Sequence, residues 1–220
     1  MNRRNILIAG LLAASVSLPA AALPIAWTDW QQGQGGGTSA FGQMTVGANV
    51  IDVTLTSTSA LFGVQTGTGT NYWSPDVYTL GTADNAPPAA EQVQLNAGGT
   101  ITLTFSQAIE NVYIGLISWN NNTVDFGTQM LVDSNGTGFW GGGTPLVNGS
   151  GTGFFGAGEV HGVVVLPGSF NSISFSHTGE NWHGFTVGVA GLAQAVPEPT
   201  ALSLLALGMT GFAARRRRRG

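Results

Sequence analysis

The chain has 220 residues, with 11 acidic residues against seven Lys or Arg, and it contains no cysteine. All seven cations are arginines, at positions 3, 4 and 215–219, so the segment 5–214 contains no Lys or Arg. This segment lacks the cations that neutralise phosphate, which argues against nucleic acid and anionic lipid as partners, and the absence of cysteine excludes a disulfide framework.

The N-terminal residues predict a secretory signal. Arg3 and Arg4 precede an apolar stretch, residues 6–18, and the small residues Ala20 and Ala22 follow it. We therefore expect an export translocon to carry the chain across the inner membrane and signal peptidase to remove residues 1–22. The paired arginines also fit a loose twin-arginine pattern, so export of an already folded chain stays open.

Residues 23–195 are expected to form one domain of β-structure. Apolar residues alternate with Thr and Ser in 50–56, 100–106 and 172–176, the pattern of strands with one buried face. Further strand candidates are 92–95, 112–118, 129–133, 160–166 and 185–189. Short strands separated by Gly-, Asn-, Ser- and Pro-rich turns predict an all-β, antiparallel β-sandwich of jelly-roll or lectin-like type. The long segment 63–90 is expected to form ordered loops over an edge of the sandwich.

Aromatic residues near amides are the candidate glycan contacts, because sugars stack on rings and bond to polar groups through their hydroxyls. The aromatic candidates are Trp119, Trp140, Trp182, Tyr72, Trp73 and Tyr78. Trp119 is followed directly by Asn120, Asn121 and Asn122. We therefore predict a glycan contact at Trp119 and the three asparagines; the alternative is that Trp119 belongs to the core.

A near-repeat places two aromatic pairs in Gly-rich sequence. Residues 137–141 read TGFWG and residues 152–156 read TGFFG. These are interpreted as two arms of a Gly-rich hairpin whose aromatics cover the sheet. An exposed aromatic platform is the alternative.

The ionisable residues predict neither an enzyme nor a cofactor. Glycoside hydrolysis requires two carboxylates at a fixed separation, and no motif selects a pair among the ten carboxylates of residues 23–195. His177, Glu180 and His183 recur at three-residue steps; we expect them to fix a turn, with zinc as the alternative. Asp133 and Asn135 are weak candidates for calcium, and a turn explains them equally well.

The C-terminal residues form a three-part pattern. The polar motif is Val196, Pro197, Glu198 and Pro199; an apolar stretch, 200–214, follows; and the chain ends in an arginine block that includes Arg215, Arg216 and Arg217. Residues 196–214 would reach roughly 28 Å as a helix, close to the ~30 Å of a bilayer core. The arginines would hold the tail on the cytoplasmic side.

This pattern resembles the PEP-CTERM sorting signal of Gram-negative bacteria, over residues 196–220. The resemblance implies processing by an exosortase near Pro197, Glu198 and Pro199, after transient anchoring in the inner membrane. It further implies delivery to the cell surface or the medium in bacteria that make extracellular polysaccharide. We therefore expect a non-enzymatic surface or matrix protein with an adhesion or glycan-contact role in a biofilm. The alternative is an extracellular hydrolase that acts on polysaccharide.

Overall fold

The computed structural model describes residues 22–73 and 76–192. The predicted signal segment, apart from Ala22, and the whole predicted sorting segment 196–220 lie outside the described residues. Within the described ranges there is no helix with the length and hydrophobicity that a membrane span requires.

The described residues form thirteen strands and one short 3-10 helix, Asp76–Thr79. In chain order the strands are β1 (Ala26–Trp27), β2 (Asp29–Gly33), β3 (Ser39–Val46), β4 (Asn49–Ser57), β5 (Gly63–Thr66), β6 (Glu91–Leu95), β7 (Gly99–Trp119), β8 (Thr123–Asp125), β9 (Leu131–Gly136), β10 (Gly143–Val147), β11 (Gly153–Gly158), β12 (Val160–His177) and β13 (His183–Leu192). All strand pairs are antiparallel, so the predicted all-β, antiparallel fold is confirmed.

Two long strands, β7 and β12, form the centre of the fold. They pair from one end to the other, from Gly99 opposite His177 to Trp119 opposite Val160. Register shifts between Leu166 and Ser172 interrupt this pairing. Bulges of this kind bend strands, and the two halves of each strand have different neighbours on either side of the irregularity.

The halves of β7 and β12 belong to two layers. The first layer has the order β2-β3-β4-β7-β12-β8-β11-β10, and it uses the first half of β7 and the second half of β12. The second layer has the order β5-β6-β13-β7-β12-β9, with β1 added beside β13, and it uses the other two halves. The strands predicted separately over 100–106 and 112–118 are therefore one strand, as are 160–166 and 172–176.

The main core lies between these layers. The alternating apolar residues of β4, β7 and β13 enter one buried cluster, as the two-residue period predicts. The rings of Phe175 and Phe185, one from each layer, lie 5.5 Å apart. Burial of this shared face is the main favourable term for the fold.

A second buried cluster covers the outer face of the second layer. Tyr113 and Val163 point to that face, and Trp73 and Tyr78 from the segment between β5 and β6 pack on them. The sequence predicted that this segment would lie over an edge of the sandwich, and this prediction is wrong. The central strands of the second layer are apolar on both faces. The outer face therefore has to be covered, and the segment between β5 and β6 covers it.

We predict that Gly162→Ala destabilises the domain by about 1–3 kcal/mol, the usual cost of a strained backbone position. Gly162 has φ of +144°, and a Cβ there would overlap the carbonyl oxygen of Ser134 on β9. Urea unfolding followed by circular dichroism measures the change. Gly149→Ala is the matched control, because a Cβ at Gly149 has no atom within 4 Å; equal stability losses in the two variants would contradict the packing described for β9 and β12.

Candidate functional site

A cleft of about 380 Å³ lies where β7 ends and where β12 and β13 begin. Its lining consists of Ser118, Asn120, Trp140, Glu159, Glu180, Asn181 and Trp182. The pairing of β7 with both β12 and β13 brings these segments together, although they are up to 64 positions apart along the chain. The cleft combines exposed rings, carboxylates and amides.

A tight turn presents the first aromatic residues. The backbone N–H of Gly138 donates to the carbonyl of Gly141 at 2.8 Å, and Phe139 and Trp140 stand at the tip between them. A Cβ at Gly138 would overlap the imidazole of His161, so only glycine lets the turn lie this close to β12. Trp140 is 54% exposed.

The aromatic wall of the cleft consists of Trp140 and Trp182, which line it, and of Tyr72 and Phe139, which pack against them. The ring of Tyr72 lies 5.0 Å from that of Trp182, 4.9 Å from that of Phe139 and 6.1 Å from that of Trp140, with which it is stacked. Trp140 and Trp182 lie 6.5 Å apart, centroid to centroid. Phe139 and Trp140 are exposed, whereas Tyr72 and Trp182 are half-buried against the second core cluster. Part of the ring surface therefore remains available to a ligand.

The two carboxylates of the cleft are linked by Asn120. The Nδ2 of Asn120 donates to Oε1 of Glu159 at 2.7 Å, and its backbone N–H donates to Oε1 of Glu180 at 3.0 Å. The hydroxyl of Ser118 donates to Oε2 of Glu159. Both oxygens of Glu159 are thus held by protein donors, and the acid pair is fixed from the end of β7.

The protonation of Glu180 differs from that of an ordinary surface glutamate. Burial, the largest cause, raises the pKa of Glu180 to about 8. The backbone N–H of Asn120 opposes this change, and the negative charge of Glu159 adds to it. No Lys or Arg occurs between residues 5 and 214 to offset the burial. At neutral pH the carboxyl group of Glu180 is therefore mainly protonated.

A row of buried histidines lies beneath Glu180. Its Oε1 is 3.2 Å from Nδ1 of His183, and Nε2 of His183 is 3.3 Å from Nδ1 of His177. The indole of Trp119 packs edge-on against His183 at 4.5 Å. Burial lowers the pKa of His183 to about 3 and that of His177 to about 4, so both rings are neutral at pH 7. Glu180, His183 and His177 therefore form a chain of contacts. The ligands of a zinc ion would instead point to one shared position.

Of the glycan contact predicted at Trp119 and the three asparagines, only Asn120 lines the cleft, and of the other aromatic candidates Trp140 and Trp182 do so. Trp119 is fully buried, and its indole N–H donates to the carbonyl of Gly184 at 2.8 Å. The predicted glycan contact at Trp119 is therefore wrong, because its side chain belongs to the core. Asn122 is also fully buried, which excludes it as a surface contact, and Asn121 is exposed but outside the lining.

The predicted calcium candidates lie in strand β9 and not in a turn. The carboxylate of Asp133 accepts hydrogen bonds from the backbone N–H and the hydroxyl of Thr82, at 2.8 Å and 2.6 Å to Oδ1, and a further one from Ala83. The side chain of Asn135 donates to the carbonyl of Gly143. Asp133 thus fastens the segment that covers the second layer, and calcium binding by the two residues stays a hypothesis.

The two copies of the near-repeat have different structures. The first forms the exposed turn of Phe139 and Trp140, while the second lies in β11, with Phe154 buried and Phe155 exposed. The predicted pair of hairpin arms is therefore wrong, since Phe139 and Trp140 contribute to an aromatic surface.

The sequence did not single out Glu159 and Glu180 as a pair. They are separated by 21 positions and lie on different segments, so no local spacing connects them. The only available signal was the position of each beside a strand end: Glu159 directly precedes the predicted strand 160–166, and Glu180 follows the predicted strand 172–176.

We predict that Trp119→Ala lowers the free energy of unfolding by about 3–5 kcal/mol, the cost of removing a large buried ring. Trp140→Ala should cost clearly less, about 1 kcal/mol, because its ring is 54% exposed and loses only contacts with neighbouring rings. Urea unfolding of both variants makes the comparison. Similar losses in the two variants would contradict the assignment of Trp119 to the core.

The stability of the domain should peak near pH 6.5. Burial lowers the pKa of His161, His177 and His183 to about 3–4, so the unfolded chain binds more protons below pH 6.5 and stability rises with pH there. Burial raises the pKa of Glu91 to about 7 and of Glu180 to about 8, so the native state retains protons that the unfolded chain releases. Stability should therefore decline as the pH rises from 6.5 to 8.

Thermal unfolding between pH 4 and pH 9 tests this profile. Glu180→Gln should weaken the decline above pH 6.5, because glutamine has no proton to release. Glu110→Gln, at an exposed site on β7, is the control. A decline that Glu180→Gln leaves unaltered would contradict the protonation assigned to the cleft.

The comparison with known proteins concerns the segment beyond the described residues. The family PEP-CTERM protein-sorting motif matches residues 195–218. No curated protein and no solved structure matches the chain. The match covers the predicted motif, apolar stretch and most of the arginine block, and it confirms the resemblance found in the sequence. The chain therefore carries a PEP-CTERM sorting signal, which indicates an exported protein that is sorted by an exosortase.

Proposed function

We propose that the exported protein binds extracellular polysaccharide at the cell surface through the cleft between β7, β12 and β13, without catalysing a reaction. The observation behind this proposal is that two tryptophans, the exposed Trp140 and the half-buried Trp182, line the cleft beside the polar groups of Asn120, Glu159 and Glu180. Sugar rings have apolar faces and polar edges, so a site of this composition matches both.

The polar side of the cleft supports this role. A hydrogen bond from Asn120 to Glu159 holds the two side chains together, which lowers the entropic cost of ordering them around a ligand. Among the described residues, the indole N–H groups of Trp140 and Trp182 form no hydrogen bond to the protein, so each can donate to a sugar hydroxyl.

The sorting signal supports a setting in which polysaccharide is available. In this proposal, signal peptidase and the export translocon act on residues 1–22, and the inner membrane holds the chain transiently before exosortase processing. The released or anchored domain, proposed to span residues 23–195, then contacts exopolysaccharide as an adhesion component of a biofilm matrix.

We predict that Trp140→Ala and Trp182→Ala each weaken polysaccharide binding by a few-fold to about tenfold, the range that aromatic contacts contribute. Affinity electrophoresis of the full-length protein in gels that contain polysaccharide measures the change. Phe155→Ala is the matched control, since Phe155 is an exposed aromatic outside the cleft. Absence of binding by the unmodified protein to neutral, amine-bearing and acidic polysaccharides would contradict the proposal.

A second candidate function, hydrolysis of a polysaccharide, is favoured by the two acids of the cleft. The raised pKa of Glu180 would let it protonate a glycosidic oxygen, while Glu159 would accept a proton from the attacking water. We rank this function below binding, because no sequence motif marks Glu159 and Glu180 as a catalytic pair. Release of reducing ends by the unmodified protein, and its loss in Glu180→Gln, would favour the enzyme.

A further inference from the structure

We propose that the cleft prefers glycans with protonated amino groups, that is, amino sugars without N-acetylation. This inference rests on the proposed function and names the class of glycan that the site would take. The observation behind it is that two carboxyl groups, of Glu159 and Glu180, and the rings of two tryptophans line the same cleft. No Lys or Arg is among the lining residues.

The charge of the lining selects against acidic glycans. Its only acidic or basic residues are Glu159 and Glu180, and no Lys or Arg occurs anywhere in the segment 5–214. A uronic acid or a sulfated sugar would bring a second negative charge towards Glu159 with no counter-charge nearby. Two like charges within one cleft repel each other, and the other acidic residues of the domain add a field of the same sign.

The aromatic wall is suited to a cation. Tyr72, Trp140 and Trp182 lie with ring centroids 5.0–6.5 Å from one another. A cation near the face of a ring is attracted by its quadrupole, and tryptophan gives the strongest effect. A protonated amino sugar can place its ring against one aromatic and its ammonium group near another. A neutral N-acetyl group gains only the stacking part of this contact.

Glu159 can complete the recognition of the ammonium group. Its carboxylate accepts one hydrogen bond from Ser118 and one from Asn120, and a carboxylate has about four acceptor positions. Because the two protein donors fix its orientation, the remaining acceptor positions are held in place at the cleft. An ammonium N–H directed at them would form a charge-assisted hydrogen bond, the stronger kind.

The test compares three oligosaccharides of equal length by isothermal calorimetry with the full-length protein at pH 6. They are a de-N-acetylated glucosamine oligomer, its fully N-acetylated counterpart and an oligomer of uronic acid. We expect the amine-bearing oligomer to bind about tenfold more tightly than the N-acetylated one, a factor typical of one cation–π contact. Its advantage should shrink at high salt, and the uronic acid oligomer should not bind.

Two substitutions locate the preference. Glu159→Gln keeps the shape of the side chain and should reduce the preference for the amine, with Glu110→Gln on the exposed part of β7 as the control. Trp140→Ala should weaken the binding of both the N-acetylated and the amine-bearing oligomer.

The outcomes separate the two proposals. Equal or tighter binding of the N-acetylated or acidic oligomer would overturn the inference and leave the glycan-binding function standing. An amine preference that Glu159→Gln and Trp140→Ala both leave intact would also overturn it. Failure of all three oligomers to bind would overturn both proposals.

Discussion

The continuous pairing of β7 with β12 is the constraint on which the rest of the structure depends. Both strands bend at the same point, so each strand contributes one of its halves to each layer. A single pair of strands therefore holds the two layers together. The same pairing sets the ends of these strands beside the start of β13. Asn120, Glu159 and Glu180 therefore meet at one cleft as a consequence of the topology. The candidate site is attached to the most extensively paired part of the fold, which favours a preformed binding surface over one that must be ordered by its ligand.

The absence of Lys and Arg over residues 5–214 has a second structural consequence. Buried acids cannot be neutralised by an ion pair with either residue, so they must be protonated or receive hydrogen bonds. Glu180 shows the first solution, with a pKa raised to about 8, and Asp133 the second, with donors from Thr82 and Ala83. Such a domain presents negative charge without a compensating cation, which links its internal chemistry to the glycans that it would tolerate at its surface.

The sequence predicted the fold class and the sorting signal well, and the site poorly. Alternation of apolar with Thr or Ser residues is local, so β4 and the segments 100–106 of β7 and 172–176 of β12 could be read from it. The Gly- and Gln-rich strands β2, β3 and β11 could not. The bend that joins 100–106 to 112–118 was hidden because bulges disturb the alternation. Trp119 was misassigned because its neighbours suggested a surface, while burial depends on which layer the side chain faces, a property of pairing and not of adjacent residues. The acid pair at Glu159 and Glu180 depends entirely on long-range contacts.

The central claim, that Trp140 and Trp182 form the ligand surface, is tested most directly by NMR of the six tryptophan indole N–H groups. Each signal is assigned with a single Trp→Phe variant of the full-length protein, and a glucosamine oligosaccharide is then added. We expect the signals of Trp140 and Trp182 to shift together as the ligand concentration rises. The signal of Trp119, whose N–H is bonded to Gly184 in the core, should stay in place. Movement of the Trp119 signal alone, or of neither Trp140 nor Trp182, would contradict the account.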